Sequence, residues 1–114
     1  MAALILLCLT GMEGQNLFEN LCFDPEEEKI ERLFESGRIR VERICSSGQS
    51  GELYDQEEHE WVILLEGQAG ILFVDDGETV SLKGGDHLLI EAHRRHRLTF
   101  TSERCLWLCV FWSD

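Results

Sequence analysis

The chain has 114 residues, of which 44% are hydrophobic and 28% charged, and its formal net charge at pH 7 is −12. This length accommodates one domain with a single hydrophobic core, and the composition is ordinary for a globular protein. The strong negative charge argues against binding to DNA or RNA, because phosphates would be repelled over most of the surface.

The first element in chain order is an apolar stretch at residues 2–9, which resembles the core of a signal peptide. It lacks preceding positive charges and a small-x-small cleavage site, and it is too short to span a bilayer. Two other interpretations are an extra strand packed on the domain and an upstream extension with the natural start at Met12. We treat residues 1–15 as an N-terminal extension and residues 16–114 as the folded domain, and we expect no membrane partner.

Residues 25–36 are predicted to form one short amphipathic helix. Asp24 can cap it, Pro25 suits the first helical position, and the three glutamates that follow favour the positive end of the helix dipole. Three apolar side chains then recur at helical spacing before a glycine that can end the helix. These are Ile30, Leu33, Phe34 and Gly37.

The rest of the chain has the pattern of short β-strands. Alternation of apolar and polar residues, together with turn sequences such as Asp75-Asp76-Gly77, predicts strands at residues 38–45, 60–66, 69–74, 79–82, 87–90, 97–101 and 105–112. Seven or eight short strands at this spacing indicate an antiparallel sandwich or barrel.

Five cysteines are an odd number, and none forms a Cys-x-x-Cys pair. This pattern fits neither a disulfide framework nor a zinc ribbon. Three of them lie in apolar strand patterns, where a reduced cysteine behaves as a small hydrophobic residue. We therefore expect a reducing, cytoplasmic location. The three are Cys45, Cys105 and Cys109.

Two segments couple a strand to potential metal ligands. Glu60 opens an otherwise apolar strand, and a later strand leads into a loop that carries His93 and His96. One carboxylate and two imidazoles that converge inside a small barrel could hold a divalent metal. The sequence thus suggests a metal site between these two segments.

Strand alternation predicts the direction of the Glu60 and His96 side chains but not that of His93. If Glu60 points inward, so do Val62 and Leu64, which leaves a carboxylate in an apolar interior where it needs a cation, an arginine or a proton. The alternative is a solvent-facing Glu60 at the start of the strand. His96 has the inward phase, whereas His93 lies in a loop and could be a second ligand or a hydrogen-bond partner.

The segment Glu60-x6-Gly67 matches the second half of the first cupin motif, G-x5-H-x-H-x3,4-E-x6-G. The two histidines of that motif are missing, and their places fall at Tyr54 and Gln56. Gly85 and His96 match the spacing of the second motif, G-x5-P-x-G-x2-H-x3-N. Departures from the second motif are Glu91 for proline, His93 for glycine and Phe100 for asparagine.

The chain resembles the cupin superfamily on these motifs, and it is most similar to small single-domain bacterial cupins over residues 16–112. Tyr54-Asp55-Gln56, Glu60-Trp61-Val62 and the run from His93 to Arg97 carry the likeness. The resemblance implies an all-β, antiparallel double-stranded β-helix (a jelly-roll or cupin barrel), to which we add the short N-terminal helix. It also implies a homodimer, and a dimer would cover the strand at residues 61–65, which is apolar on both faces.

Two functions follow from these residues. In the first, the protein is an enzyme for a small polar or anionic metabolite, with Zn, Fe, Mn or Ni held by Glu60, His93 and His96 and, more weakly, by the amide of Gln56. Tyr54 and Arg95 would contact the substrate. In the second, the same cavity binds a small molecule without metal or catalysis. A purely structural partner protein is a third possibility.

Overall fold

The computed structural model describes residues 13–114 and contains nine β-strands. The predictions made for residues 1–12 lie outside the described residues. The strands are β1 (Lys29–Ser36), β2 (Ile39–Ser46), β3 (Leu53–Tyr54), β4 (His59–Glu66), β5 (Gln68–Phe73), β6 (Thr79–Lys83), β7 (His87–Ile90), β8 (His96–Thr101) and β9 (Cys105–Trp112).

The strands form two antiparallel sheets. The first has the order β1-β2-β9-β4-β7, and the second has the order β3-β8-β5-β6. Consecutive strands such as β8 and β9 lie in different sheets, so the chain crosses repeatedly between the two layers. This arrangement confirms the predicted all-β jelly roll.

The helix predicted at residues 25–36 is wrong. Residues 29–36 instead form strand β1, which pairs with β2, and the described part of the chain contains no helix. The apolar side chains are spaced irregularly for a strand because the register shifts between Arg32 and Phe34. Ile30 and Phe34 are exposed by 61% and 56%, so no amphipathic face is buried there.

The hydrophobic core lies between the two sheets. On β4, Val62 and Leu64 are buried, whereas Trp61 between them is 41% exposed on the outer face. Trp107 and Phe111 of β9 point to the same interior as Val62. Alternation along each strand therefore assigns one face to the core and one to the outside, and this decides which polar side chains can enter the interior.

Gly67 joins β4 to β5 where the turn approaches the turn before β9. Its backbone has φ +100°, and a Cβ atom at this position would overlap the carbonyl oxygen of Arg104. Any other residue would be strained and would push the two turns apart. This explains why the first motif has glycine at this position.

The segment before β1 crosses the outer face of the first sheet. The guanidinium of Arg43 donates to the carbonyl oxygens of Leu17 and Glu19 at 3.0 and 2.8 Å. Val41 and Leu106 lie beside it on that face and are buried. Within residues 13–114, no helix has the length and apolar character needed to cross a membrane.

Candidate functional site

A cavity of about 240 Å³ opens between the two sheets. Most of its wall is apolar, contributed by residues of β1, β2, β4, β5, β7, β8 and β9. A few polar and charged side chains reach the same space, which is the usual composition of a small-molecule site. They are Glu28, Arg40, Glu42, Tyr54, Gln56, Glu60, His96 and Cys109.

Glu60 lies in the cavity wall and is only 8% exposed. It points inward with Val62 and Leu64, as strand alternation predicts. The amide Nε2 of Gln56 donates to its Oε1 at 3.1 Å. Burial raises the pKa of Glu60, and the hydrogen bonds from Cys109 and Gln56 and the nearby His96 offset this only in part. No lysine or arginine of the described residues forms an ion pair with this carboxyl.

His96 begins β8 and is 5% exposed in the same cavity. Its Nδ1 lies 2.8 Å from the carbonyl oxygen of Arg94, which can only accept, so Nδ1 carries a proton. When the ring is neutral, Nε2 is therefore an acceptor. Nε2 has no hydrogen-bond partner within residues 13–114, so a bound molecule could supply the missing donor.

Tyr54 stands beside His96. The two residues are paired on β3 and β8, and their rings stack at a centroid distance of 5.4 Å. Burial, followed by nearby acidic groups, raises the pKa of Tyr54 to about 12, so its hydroxyl keeps its proton. Tyr54 therefore supports the imidazole and presents a neutral hydroxyl to the cavity.

His93 lies outside the cavity. Its backbone has φ +62°, a left-handed conformation, and its Nδ1 lies 2.8 Å from Oδ1 of Asp55. The side chain is 64% exposed. The second cupin motif has glycine at this position, and the positive φ gives the physical reason. The structure therefore brings Gln56, Glu60 and His96 together but leaves His93 on the surface.

Arg95 also lies outside the cavity. Its Nε donates to Oδ1 of Asp75 at 3.1 Å, and this contact raises the pKa of Arg95 and lowers that of Asp75. Arg94 similarly donates to Glu78 at 2.6 Å. Both guanidinium groups are thus held at the β5–β6 turn, because that turn is rich in carboxylates.

Four polar or charged cavity residues were missed by the sequence reasoning, namely Glu28, Arg40, Glu42 and Cys109. Arg40 and Glu42 of β2 point inward, and Arg40 donates to Glu42 at 3.2 Å and to Glu58 at 2.6 Å. Cys109 of β9 lies near Glu60, and burial together with that carboxylate raises the pKa of its thiol well above the usual value. Alternation in β2 predicts the opposite direction for Arg40 and Glu42, since it would place apolar Val41 inward, whereas Val41 is buried on the outer face beside the segment that precedes β1.

The residues gathered here do not fit a metal ion. Glu60 and His96 are strong ligand types, but the thiol of Cys109 beside Glu60 keeps its proton because burial raises its pKa, and the neutral amide of Gln56 is a poor ligand for transition metals. No group of three histidine, cysteine, aspartate or glutamate side chains within residues 13–114 could hold a metal. The donor set therefore gives no basis for a step that involves a metal.

The chain was compared with known proteins. The family model described as "Cupin domain" matches residues 36–111. A protein of Ralstonia eutropha, described as a putative mannose-6-phosphate isomerase, is 33% identical with a TM-score of 0.82, and the match covers 90% of this chain and 100% of that one. No match is found among curated proteins.

Two other solved structures share the fold at lower identity. A cupin superfamily protein of Desulfitobacterium hafniense is 20% identical with a TM-score of 0.76, covering 91% of this chain and 94% of that one. An RmlC-like cupin of Desulfovibrio desulfuricans is 19% identical with a TM-score of 0.74, covering 90% and 97%. The family-model match spans most of β2 to β9, and the chain belongs to the cupin family.

Proposed function

We propose that this cupin is a binding module for a small organic molecule, which it holds without a metal in the cavity between its sheets. One observation carries the proposal. Glu60 and His96 are both more than nine-tenths buried and face the same mostly apolar cavity, and among the described residues no lysine or arginine pairs with the carboxylate and no group donates to Nε2 of His96. No buried side-chain nitrogen or oxygen of the described residues lacks a hydrogen-bond partner, so the unpartnered Nε2 atom is accessible from the cavity, where a ligand could donate to it.

The shape and size of the cavity support the same function. Its volume is below the roughly 300–1,000 Å³ of typical ligand pockets, so the ligand is smaller than a drug-sized compound. The wall combines apolar side chains such as Ile44 and Ile71 with a few convergent polar groups. Apolar area supplies affinity at such a site, and the polar groups fix the orientation of the ligand.

The test is a thermal-shift screen with small amines, alcohols, sugars and carboxylic acids. A ligand that binds the folded state raises the melting temperature by mass action. Ile44→Phe, which places a larger side chain in the cavity wall, should abolish the effect of every hit. The control Ile39→Phe makes the same change at an exposed site. Hits that stabilise Ile44→Phe as much as wild type, or no hits at all, would refute the proposal.

An enzyme for a small polar metabolite is the second candidate function. It is favoured by the pairing of a buried carboxyl with an imidazole, which can act as proton donor and acceptor, and by the isomerase name of the Ralstonia protein. Elemental analysis of protein purified without an affinity tag separates a metal-dependent enzyme from the binding module. Near-stoichiometric metal that is lost in Glu60→Ala and His96→Ala would favour the enzyme.

We further propose that the protein forms a homodimer and resides in the cytoplasm. The outer face of the first sheet supports the dimer, because Trp61 and its cross-strand partner Leu89 are 41% and 49% exposed there. A reducing compartment is supported by Cys22, Cys45, Cys105 and Cys109, which are free.

A further inference from the structure

The charges around the cavity are unbalanced. Three carboxylates line it, from Glu28, Glu42 and Glu60, against one guanidinium, from Arg40. That guanidinium is already engaged, because it donates to Glu42 and to Glu58 and lies 4.1 Å above the ring of Phe111. The cavity therefore has an excess of negative charge that no described residue neutralises.

The approach to the cavity has the same sign. A second depression of about 310 Å³ shares Glu28, Tyr54 and Leu98 with the cavity wall, so the two lie side by side. Glu27 and Glu52 also line it, and it has no lysine or arginine in its wall. Lys29 lies 2.8 Å from Glu27, which neutralises one of these carboxylates and leaves the others. A depression lined by one sign of charge concentrates ligands of the opposite sign.

The hydrogen-bonding groups point to the same kind of ligand. The carboxylate of Glu60 and the Nε2 atom of neutral His96 can only accept. The amide nitrogen of Gln56 is directed to Glu60 and to the carbonyl of Glu58, which leaves its Oε1 as a third acceptor. A ligand that satisfies this wall must bring several N–H donors. An ammonium group carries up to three and has the charge that the cavity lacks.

We propose that the ligand of this cavity is a small protonated amine with an apolar body. Its N–H groups donate to Glu60, His96 Nε2 and Gln56, and its carbon skeleton packs against the aliphatic and aromatic wall. This proposal rests on the proposed binding function and specifies its ligand class. The sequence-based expectation is a small polar or anionic metabolite, and this proposal departs from its anionic alternative, because Arg94 and Arg95 are held by acidic residues at the β5–β6 turn.

Three compounds of one carbon skeleton test the charge preference by calorimetry at pH 7.5: 3-methylbutan-1-amine, 3-methylbutan-1-ol and 3-methylbutanoate. We expect the amine to bind at least about tenfold more tightly than the carboxylate, and also more tightly than the alcohol, since a hydrogen bond between charged groups is stronger than one between neutral groups. In the Glu60→Gln variant, the amine and the alcohol should bind with similar affinity, because the negative charge that favours the amine is gone. The control Glu103→Gln changes the net charge equally at an exposed turn and should behave as wild type.

The outcomes separate the two proposals. If the alcohol or the carboxylate binds as tightly as the amine, the amine proposal is wrong and the binding function stands. If none of the three binds, the amine proposal is again wrong, and the wider thermal-shift screen decides the binding function independently. A Glu60→Gln protein that fails to fold would be replaced by Glu28→Gln at the cavity mouth, for which we expect a smaller loss of amine affinity.

Discussion

Tyr54 and His96 lie face to face on paired strands, with their ring planes inclined by 23°. Tyr54 occupies the place of the first histidine in the cupin motif, and it contacts the one motif histidine that this chain keeps in the cavity. In this chain an aromatic ring therefore stands at that place and positions the imidazole by stacking.

This stack should be measurable as stability. Tyr54→Ala removes the ring and should lower the free energy of unfolding by roughly 1–3 kcal/mol, because area burial and the aromatic pair are both lost. Tyr54→Phe keeps the ring and should stay within about 0.5 kcal/mol of wild type. Urea denaturation followed by fluorescence measures both values. Equal losses in the two variants would show that the hydroxyl, and not the stack, is stabilising.

Glu60 should make stability depend on pH. Burial raises its pKa above the ordinary value of 4.5, so the folded state binds this proton more tightly than the unfolded chain does. Its contribution therefore becomes less favourable as pH rises from 4.5 through the folded pKa. We expect Glu60→Gln to gain stability relative to wild type over this range, by about 1.4 kcal/mol per unit of pKa shift.

Urea denaturation of both proteins between pH 4.5 and pH 8 measures this difference. Subtracting the free energy of unfolding of wild type from that of Glu60→Gln at each pH removes the effect of the other titrating groups, which respond equally in both proteins. Glu103→Gln serves as the control, since an exposed carboxyl should give a difference that is flat with pH. A difference for Glu60→Gln that shrinks with rising pH would contradict the assignment.

Restoring the missing histidines should create a metal site. Tyr54 and Gln56 already line the cavity with Glu60 and His96, so Tyr54→His combined with Gln56→His would supply four ligands. We expect the double variant to bind about one equivalent of Zn or Ni and to gain melting temperature with added metal, whereas wild type does not. Adding His96→Ala should remove most of the gain. Equal metal stabilisation of wild type would refute our interpretation of the donor set.

Because His93 lies outside the cavity, its replacement should leave both stability and ligand binding nearly unchanged. His93→Gly suits the left-handed backbone but loses the exposed contact with Asp55, so stability should change by less than about 1 kcal/mol. Ligand affinity in the cavity should also stay unchanged. His96→Ala, three residues later, should weaken binding because it removes an acceptor from the wall. A large loss of affinity in His93→Gly would place that ring at the site after all.

The homodimer prediction depends on the outer face of the first sheet. Trp61→Glu should convert a dimer into a monomer, because it puts a charge into a contact that must lose its water. Phe100→Glu makes a similar change at an exposed site of the second sheet and should leave the dimer intact. Sedimentation velocity at micromolar concentration distinguishes these results, and a monomeric wild type would refute the dimer.

Alternation was enough to predict the inward position of Glu60 and of His96, since both belong to strands whose apolar residues fall on one face. The same reasoning failed at β1, where Ile30, Leu33 and Phe34 fit a helical period and the bulge after Arg32 hides the strand pattern. What decides β1 is its pairing with β2, which is a tertiary interaction and leaves no local periodicity in the sequence.

His93 shows a second limit. Its chemical type suggested a ligand, but the direction of a loop side chain depends on the backbone dihedral angle, which residue type does not reveal. The glycine of the family motif was the available signal, since a conserved glycine in a turn often marks a positive φ. The position of Arg95 outside the cavity was hidden for a similar reason, because its acidic partner Asp75 lies 20 residues away in sequence.

Within residues 13–114, strand β1 is the outermost strand of the first sheet, and one side of its backbone has no strand partner there, so it could pair with another chain. Its exposed apolar side chains would favour such pairing, but the charged residues Glu31, Arg32 and Glu35 lie among them and the whole chain carries a net charge of −12. Solubility therefore depends on repulsion between copies. We expect precipitation and fibril-like association to increase in mildly acidic buffer, where carboxylates become protonated and that repulsion declines.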